Sequence, residues 1–131
     1  MAVTDPISDF MTVLRNASKA KKEKITVISS KMLENISAIL KREDYIADFK
    51  VVDEGKRKFL RVHLKYNNSE PAIKHLSRIS KPGLRKYVAS DNITSVLGGF
   101  GISIVSTPKG LLTNKDAKAQ KVGGELLLKV W

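Results

Sequence analysis

The sequence contains no cysteine, which excludes disulfide bonds and cysteine-ligated metal sites. A chain without cysteine is compatible with a reducing cytoplasm. Long apolar runs are also missing, since none approaches the ~20 residues that a membrane-spanning helix needs. The N-terminal stretch Met1–Pro6 has neither the charged nor the apolar region of a signal peptide. We therefore expect a cytoplasmic protein that binds no membrane.

Acidic side chains are scarce, with 13 Asp and Glu against 24 Lys and Arg, so the net charge is +11. This excess indicates a polyanionic partner, most often nucleic acid and less often an anionic membrane surface. A soluble protein that is merely basic is the alternative. Residues 68–131 carry ten basic and four acidic side chains, and residues 1–67 carry fourteen and nine. The second half is therefore proportionally the more basic.

Residues 1–67 predict an N-terminal module of order α-β-α-β-β, with a three-stranded sheet and two helices on one face. Asp5-Pro6 starts a first helix that runs to about Ala17, and Ser29–Lys31 caps a second one. A strand at Ile25–Ile28 precedes that second helix. A hairpin follows, with its turn at 53–56. The alternating strand residues of the hairpin are Tyr45, Ala47, Phe49, Val51, then Leu60, Val62, Leu64 and Tyr66, while Arg61, His63 and Lys65 point to the outer face.

Residues 68–131 predict a mainly β C-terminal module with short helices, which makes the fold class α+β. The boundary is placed in the polar stretch Asn67–Pro71. Predicted strands lie at 73–80, 84–88, 101–105 and 125–131, and the turn 80–83 separates the first two. Predicted helices run from Ile93 to Leu97, capped by Asp91, and from Thr113 to about Lys121. Gly123-Gly124 separates the last helix from the last strand.

The stretch Gly101–Gly110 is a strand that leads into a loop rich in hydrogen-bonding groups. Its apolar residues anchor it in a core, so Ser106, Thr107, Lys109 and Gly110 are held at the strand's exit. Loops on a rigid support commonly carry function. Two hydroxyls, one ammonium and open backbone amides suit a polyanion or a hydroxyl-rich surface.

Two further groups of residues extend the candidate binding surface. The glycines of Gly123-Gly124-Glu125 would let a partner's backbone approach closely. Glu125 could accept from base amino groups or hold a neighbouring loop, or else pair with a lysine such as Lys121. Tyr87 lies between Arg85 and Lys86, an arrangement typical of base stacking with phosphate contacts, or else of a half-buried strand tyrosine. These contacts suit folded RNA, with its displayed 2′-hydroxyls, better than the DNA major groove.

Two fragments of the sequence raise an enzymatic interpretation. Ser106-Thr-Pro-Lys109 matches S-x-x-K and Ser90-Asp-Asn92 matches S-D-N, as in penicillin-recognising serine enzymes. The order of the fragments is reversed, the K-T-G element is missing, and the chain is too short for that fold. A small serine hydrolase that uses Ser106 and Lys109 is therefore only the alternative to a non-enzymatic protein. We expect His63 to be a solvated strand residue, and His75 has no carboxylate or cysteine at the spacing of a metal ligand. We therefore expect no cofactor, no metal and no small-molecule substrate.

The ordered motifs closely resemble the bacterial small-subunit ribosomal protein eight family. The resemblance covers essentially the whole chain and rests on Asp5-Pro-Ile-Ser-Asp9, Arg15-Asn16, Ser29-Ser-Lys31, Ser80-Lys-Pro-Gly-Leu-Arg85, Ile104-Val-Ser-Thr-Pro-Lys-Gly110, Thr113, Ala117, Gly123-Gly-Glu125 and Val130-Trp131. It implies an α/β module followed by a mainly β module. It also implies a structural constituent of the 30S subunit that binds the central domain of 16S-type rRNA early in assembly. Implied neighbours are ribosomal proteins five and twelve, and some members also bind their own operon mRNA.

The resemblance assigns RNA contacts to three C-terminal elements and, less directly, to the N-terminal module. These residues are Ser106, Thr107 and Gly110, then Gly123, Gly124 and Glu125, then Tyr87, with Ser30, Lys31 and Arg15 in the first module. The chain departs from the family at Pro108, where most members have a third hydroxyl residue. Proline removes that hydroxyl and one backbone N–H. In exchange it can hold the loop in its bound shape and so lower the ordering entropy.

Overall fold

The first unit is built around a three-stranded antiparallel sheet in the order β1-β3-β2, formed by β1 (Lys24–Ile28), β2 (Ile46–Glu54) and β3 (Arg57–Leu64). The computed structural model describes residues 5–131, which form two compact units, one of residues 7–74 and one of residues 75–131 together with Asp5 and Pro6. The predicted order α-β-α-β-β and the predicted sheet are confirmed. A short polar hairpin of β4 (Tyr66–Asn67) and β5 (Glu70–Pro71) closes this unit.

Two amphipathic helices supply the rest of the first unit's core. Helix α1 (Pro6–Lys19) buries Ile7, Phe10, Met11 and Leu14 at helical spacing. Helix α2 (Lys31–Arg42) packs against β2 and β3 and begins at the N-cap Ser30, whose hydroxyl accepts from the backbone N–H of Leu33 at 3.2 Å. That bond satisfies one of the amides that a helix start leaves open. The capping role predicted for 29–31 is therefore confirmed.

The hairpin of β2 and β3 departs from the predicted pattern on its first strand. Leu60, Val62 and Leu64 are buried as expected, but Ala47 and Val51 are exposed and Ile46 is only 1 % exposed. The pairing register shifts between Ile46 and Asp48. Such a bulge inserts one extra residue and exchanges the faces of the residues before it. Simple alternation therefore assigned the start of β2 to the wrong face.

The second unit is organised around β10 (Gly124–Val130), which pairs with three other strands. These are β6 (Leu76–Arg78), β7 (Tyr87–Val88) and β8 (Ile102–Thr107), while β9 (Gly110–Thr113) pairs with the outer side of β8. Helix α3 (Asn114–Ala119) begins at the predicted N-cap Thr113, which accepts from the N–H of Asp116. The most completely buried large side chains of this core are Ile104, Val105, Leu127, Leu128 and Val130, each at most 1 % exposed.

Three predictions between residues 73 and 97 need correction. The strand predicted from residue 73 is only the three residues of β6, and the strand predicted from Leu84 is only β7. Lys81 and Leu84 close a turn through reciprocal backbone hydrogen bonds, so the chain is not free to extend before Tyr87. The helix predicted at 93–97 is absent; two short 3₁₀ turns, at Ser90–Asn92 and Leu97–Gly99, flank extended backbone that buries Ile93 and Val96. Burial of two β-branched side chains on extended backbone outweighs a helix of five residues.

The cap of α2 generates a stability prediction. Ser30→Ala should lower the free energy of unfolding by about 1 kcal/mol, because it leaves the Leu33 amide without its acceptor. Ser30→Asp keeps an acceptor at the N-cap and should retain most of the stability. Urea unfolding monitored by helical circular dichroism compares the two variants. Equal loss in both would contradict the capping role.

Candidate nucleic-acid interface

The candidate loop at 106–110 is the end of a β-hairpin. Ser106 and Thr107 are the last two residues of β8, not loop residues as predicted, and a further strand, β9, starts at Gly110. Thr107 pairs with Gly110 across a turn of Pro108 and Lys109. Proline is favoured at the first central position of such turns, and Gly110 has a φ of 103°, which favours glycine. The geometry of the turn therefore explains why Pro108 and Gly110 occupy these two positions.

The two hydroxyls of the hairpin have different roles. The Thr107 hydroxyl donates to the Gly110 carbonyl oxygen at 2.7 Å and accepts from the Lys109 N–H at 3.1 Å. The half-buried Ser106 hydroxyl makes no hydrogen bond to any residue in the described range 5–131. Thr107 thus holds the turn, whereas Ser106 has donor and acceptor capacity left for a ligand. Lys109 is exposed at the tip of the turn.

The glycine pair lets the chain's own backbone approach closely. A Cβ at Gly124 would overlap the carbonyl oxygen of Ser106 and lie 2.9 Å from its carbonyl carbon. A Cβ at Gly123 would overlap the Val88 carbonyl oxygen and lie 2.9 Å from the Cα of Ala89. Close approach of two backbones is a known use of glycine. Gly123 and Gly124 therefore bring β10 against the ends of β7 and β8.

Glu125 holds a neighbouring loop in place. Its Oε2 accepts from the Ser80 hydroxyl and, at 2.9 Å, from Nη1 of Arg85, while Ser80 Oγ accepts from the Lys86 N–H at 3.1 Å. The alternative partner considered from the sequence, Lys121, is not the one observed. Burial alone would raise the pKa of Glu125, but the hydrogen bonds from Ser80 and Arg85 and the nearby positive charges outweigh it, and the pKa lies below its ordinary value.

Three candidate residues lie side by side across the sheet. Tyr87 in β7 pairs with Glu125 in β10, which pairs with Ser106 in β8. Directly opposed residues of antiparallel strands lie on the same face. Tyr87 is 74 % exposed, so it is not the half-buried strand tyrosine that the sequence left open. We name Tyr87, Glu125 and Ser106 the cross-strand row; it presents a ring, a fixed carboxylate and a hydroxyl.

The remaining predicted residues fall into two groups. Arg85 is bound to Glu125 with its side chain 47 % exposed, and Lys86 is exposed beside Tyr87. In the first unit, the Ser30 hydroxyl is used as the cap of α2, Lys31 is exposed, and Arg15 is half-buried in α1. Sequence reasoning missed Ser80 as a partner of Glu125. The two residues are 45 positions apart, and no local pattern joins them.

The described residues form neither a metal site nor a membrane-spanning helix. Within 5–131, no group of three or more His, Cys, Asp or Glu side chains is placed to hold a metal ion. No helix in that same range is long and apolar enough to cross a membrane.

Gly124→Ala should lower the free energy of unfolding by about 3 kcal/mol or more, because the added methyl overlaps backbone that cannot move without breaking β8–β10 pairing. The matched control is Gly83→Ala, where an added Cβ meets nothing within 4 Å. Its effect should stay within about 0.5 kcal/mol. Urea unfolding of both variants measures the difference. Similar stabilities for the two variants would exclude the packing role of Gly124.

The lowered pKa of Glu125 generates a pH prediction. A carboxyl whose pKa is depressed in the folded state stabilises the fold above its ordinary pKa of 4.5, and this stabilisation is lost as pH falls below that value. Glu125→Gln removes the charge and the titration. The wild-type protein should therefore be more stable than Glu125→Gln at neutral pH, and the gap should shrink on acidification. Urea unfolding from about pH 7 to about pH 3 tests this; a constant gap would refute it.

Comparison with known proteins identifies the family. Residues 5–131 match the model of the family described as Ribosomal protein S8. The protein named "Small ribosomal subunit protein uS8" from Lacticaseibacillus casei (strain BL23) is 51% identical over 132 aligned positions, covering 100% of both chains. Proteins with the same name from Acidobacterium capsulatum and Enterococcus faecalis are 49% and 48% identical, again over 100% of both chains. The chain therefore belongs to the ribosomal protein S8 family.

Proposed function

We propose that this protein is a structural constituent of the small ribosomal subunit that binds 16S-type rRNA directly, in its central domain, and helps assemble the 30S platform. The relatives are named as proteins of the small ribosomal subunit. The observation that supports direct binding to rRNA is the cross-strand row of Tyr87, Glu125 and Ser106. It lies on the face of a rigid sheet in a chain of net charge +11.

The chemistry of the row fits folded RNA. The Ser106 hydroxyl can donate to and accept from a 2′-hydroxyl or a base edge, and it has no competing partner among the described residues. The exposed ring of Tyr87 offers a face for stacking on a base or a ribose. Glu125 keeps the loop that bears Arg85 and Lys86 beside that ring. The row thus combines stacking and hydrogen bonding with nearby positive charge.

Preorganisation supports specific recognition. Ser106 is fixed by strand pairing on both sides, to Glu125 and to Leu111. The turn that follows is fixed by the Thr107 hydroxyl and by Pro108. Little conformational freedom is left to lose on binding, so less of the interaction energy is spent on ordering. Pro108 compensates in this way for the hydroxyl that it replaces.

Further contacts follow from the same proposal. Exposed lysines, among them Lys86 and Lys109, supply sequence-independent attraction to phosphates. Lys31 and Arg15 of the first unit, with the backbone near Ser30, contact a second RNA region. In the assembled subunit the protein neighbours ribosomal proteins five and twelve. Binding to its own operon mRNA would use the same cross-strand row, because that RNA must present the same groups.

Ser106→Ala should weaken binding to the native rRNA helix by about 1–2 kcal/mol, because RNA groups that the hydroxyl satisfies are left unmatched. The unfolding midpoint should stay unchanged, since this hydroxyl has no partner within residues 5–131. Titration of a short central-domain helix and a loop-scrambled control, across a salt series, measures the specific loss. Lys109→Gln is the contrasting variant. It should weaken binding to both RNAs equally and lower the salt slope by about 1.

Two different outcomes would contradict these expectations. If Ser106→Ala weakened both RNAs equally, the hydroxyl would not read the native helix. If the unmodified protein bound the two RNAs equally and lost both with added salt, it would be only a basic protein attracted to phosphate, and the proposed direct and specific binding would fail.

A further inference from the structure

The sheet of the first unit has a second face that its buried residues do not use. Residues Ile25, Leu60 and Val62 point into the core at 7 %, 0 % and 0 % exposure. Alternation then places the intervening residues on the opposite face, which we name the open face. Strand pairing arranges them in three cross-strand rows: Lys24–His63–Asp48, Thr26–Arg61–Lys50 and Ile28–Phe59–Val52.

The middle row places two cations directly opposite each other. Arg61 pairs with Lys50 on one side and with Thr26 on the other, so the row holds no acidic residue. Neither cation forms an ion pair with any residue in the described range. Like charges directly opposite each other in a sheet are destabilising. An anion bound between Lys50 and Arg61 would remove that repulsion.

Arg61 also carries an unsatisfied hydrogen-bond donor. Its Nε is buried and makes no hydrogen bond to any residue from 5 to 131. A buried donor without an acceptor costs free energy, and Arg guanidinium groups match phosphate oxygens well. Thr26 is exposed on the other side of Arg61, and its hydroxyl can also donate to a phosphate oxygen.

The acidic residue of the adjacent row does not neutralise these cations. Asp48 Oδ1 lies 2.9 Å from Nζ of Lys41 in α2. The hydrogen bond from Lys41 is the main cause of the lowered pKa of Asp48, followed by the hydrogen bond from the Phe49 N–H. The carboxylate is therefore engaged at the sheet edge, and the middle row keeps its positive potential.

The third row supplies an apolar surface next to the cations. Phe59 lies two residues from Arg61 on the same strand, about 7 Å away along it. Ile28 is 59 % exposed, and Phe59 and Val52 are half-buried. An aromatic ring beside paired cations is the combination that single-stranded nucleic acid uses, with bases stacked and phosphates in a positive groove. A purely apolar protein partner would leave Lys50 and Arg61 unpaired and desolvated.

We propose that the open face is an additional RNA-binding surface, with a phosphate held by Thr26, Arg61 and Lys50 and a base stacked on Phe59. The RNA is an unpaired segment, because its base must be free to reach the ring. This inference rests on the proposed function, since it deepens how the protein binds RNA. It assigns a role to the sheet of the first unit that is independent of the cross-strand row.

The test uses octauridine as the probe and the full chain labelled with ¹⁵N. The changes in amide chemical shift on adding octauridine should be largest in the three cross-strand rows of β1, β2 and β3. Lys50→Gln/Arg61→Gln should weaken octauridine binding about tenfold and reduce the salt slope by about 0.7 for each lost phosphate contact. Phe59→Leu keeps an apolar side chain but loses the aromatic face, and it should weaken binding at least about fivefold.

Matched controls separate this surface from general attraction. Lys56→Gln/Lys58→Gln also removes two exposed charges, at the turn of the same hairpin and beside it, and should change the affinity less than about twofold. Lys50→Gln alone relieves the like-charge pair, so it should weaken binding without lowering the unfolding midpoint. Inorganic phosphate should change the amide chemical shifts near Arg61 but should leave the amide shift of Phe59 unchanged.

Three outcomes would overturn the inference. They are equal weakening by the control pair, amide shifts confined to 106–110, and phosphate alone reproducing the Phe59 shifts, which would leave a simple anion site. If any of these occurred while the native rRNA helix was still preferred over its scrambled control, only the open face would be lost as an RNA surface. Loss of that preference would instead remove the proposed function.

Discussion

The close approach of β10 to β8 at Gly124 is the constraint on which the candidate interface depends. No side chain other than hydrogen fits between Gly124 and the Ser106 carbonyl, and Gly123 plays the same part against Val88 and Ala89. These contacts set the register that brings Glu125 opposite both Ser106 and Tyr87. Residues from three separate stretches of the chain thus meet in one row because two positions carry no Cβ. The glycines act within the chain, because they let its own strands approach closely.

Glu125 is the second element of that arrangement, and its energetics explain why a carboxylate belongs in so basic a protein. Desolvation works against its charge, but Ser80, Arg85 and the field of Arg78 more than compensate. Arg85 is in turn held in one position instead of moving freely, and Ser80 extends the network to the Lys86 amide. Arg78 has its own anionic partner, Asp5, at 3.1 Å. Arg85 is therefore a positioned charge beside Tyr87 and not a mobile one, which favours recognition by shape.

Local patterns in the sequence predicted much of this fold, and their failures have physical causes. The helical spacing of Ile7, Phe10 and Leu14 and the caps at Ser30 and Thr113 depend on neighbouring residues only, so they could be found. Ile93 and Val96 fit a helical spacing equally well, but tertiary burial places them on extended backbone. The partner of Glu125 lies 40 residues away, and the packing at Gly124 is between strands distant in sequence. Such contacts leave no periodic trace, so neither the packing of the glycines against the chain's own strands nor the strand β9 could be predicted from the sequence.

The two proposed RNA-binding surfaces differ in chemistry, and the difference follows from how each sheet uses its surface. In the cross-strand row the only charged member, Glu125, is paired with Arg85, so a hydroxyl and a ring are the groups that the proposed function uses to discriminate between RNA shapes. On the open face, Lys50 and Arg61 are left without partners in the described chain, so attraction to phosphate dominates there. Phosphate contacts fix position without reading sequence, whereas hydroxyl and ring contacts distinguish one folded RNA from another. A protein that combined both would gain affinity from one unit and selectivity from the other, and salt would weaken the first far more than the second.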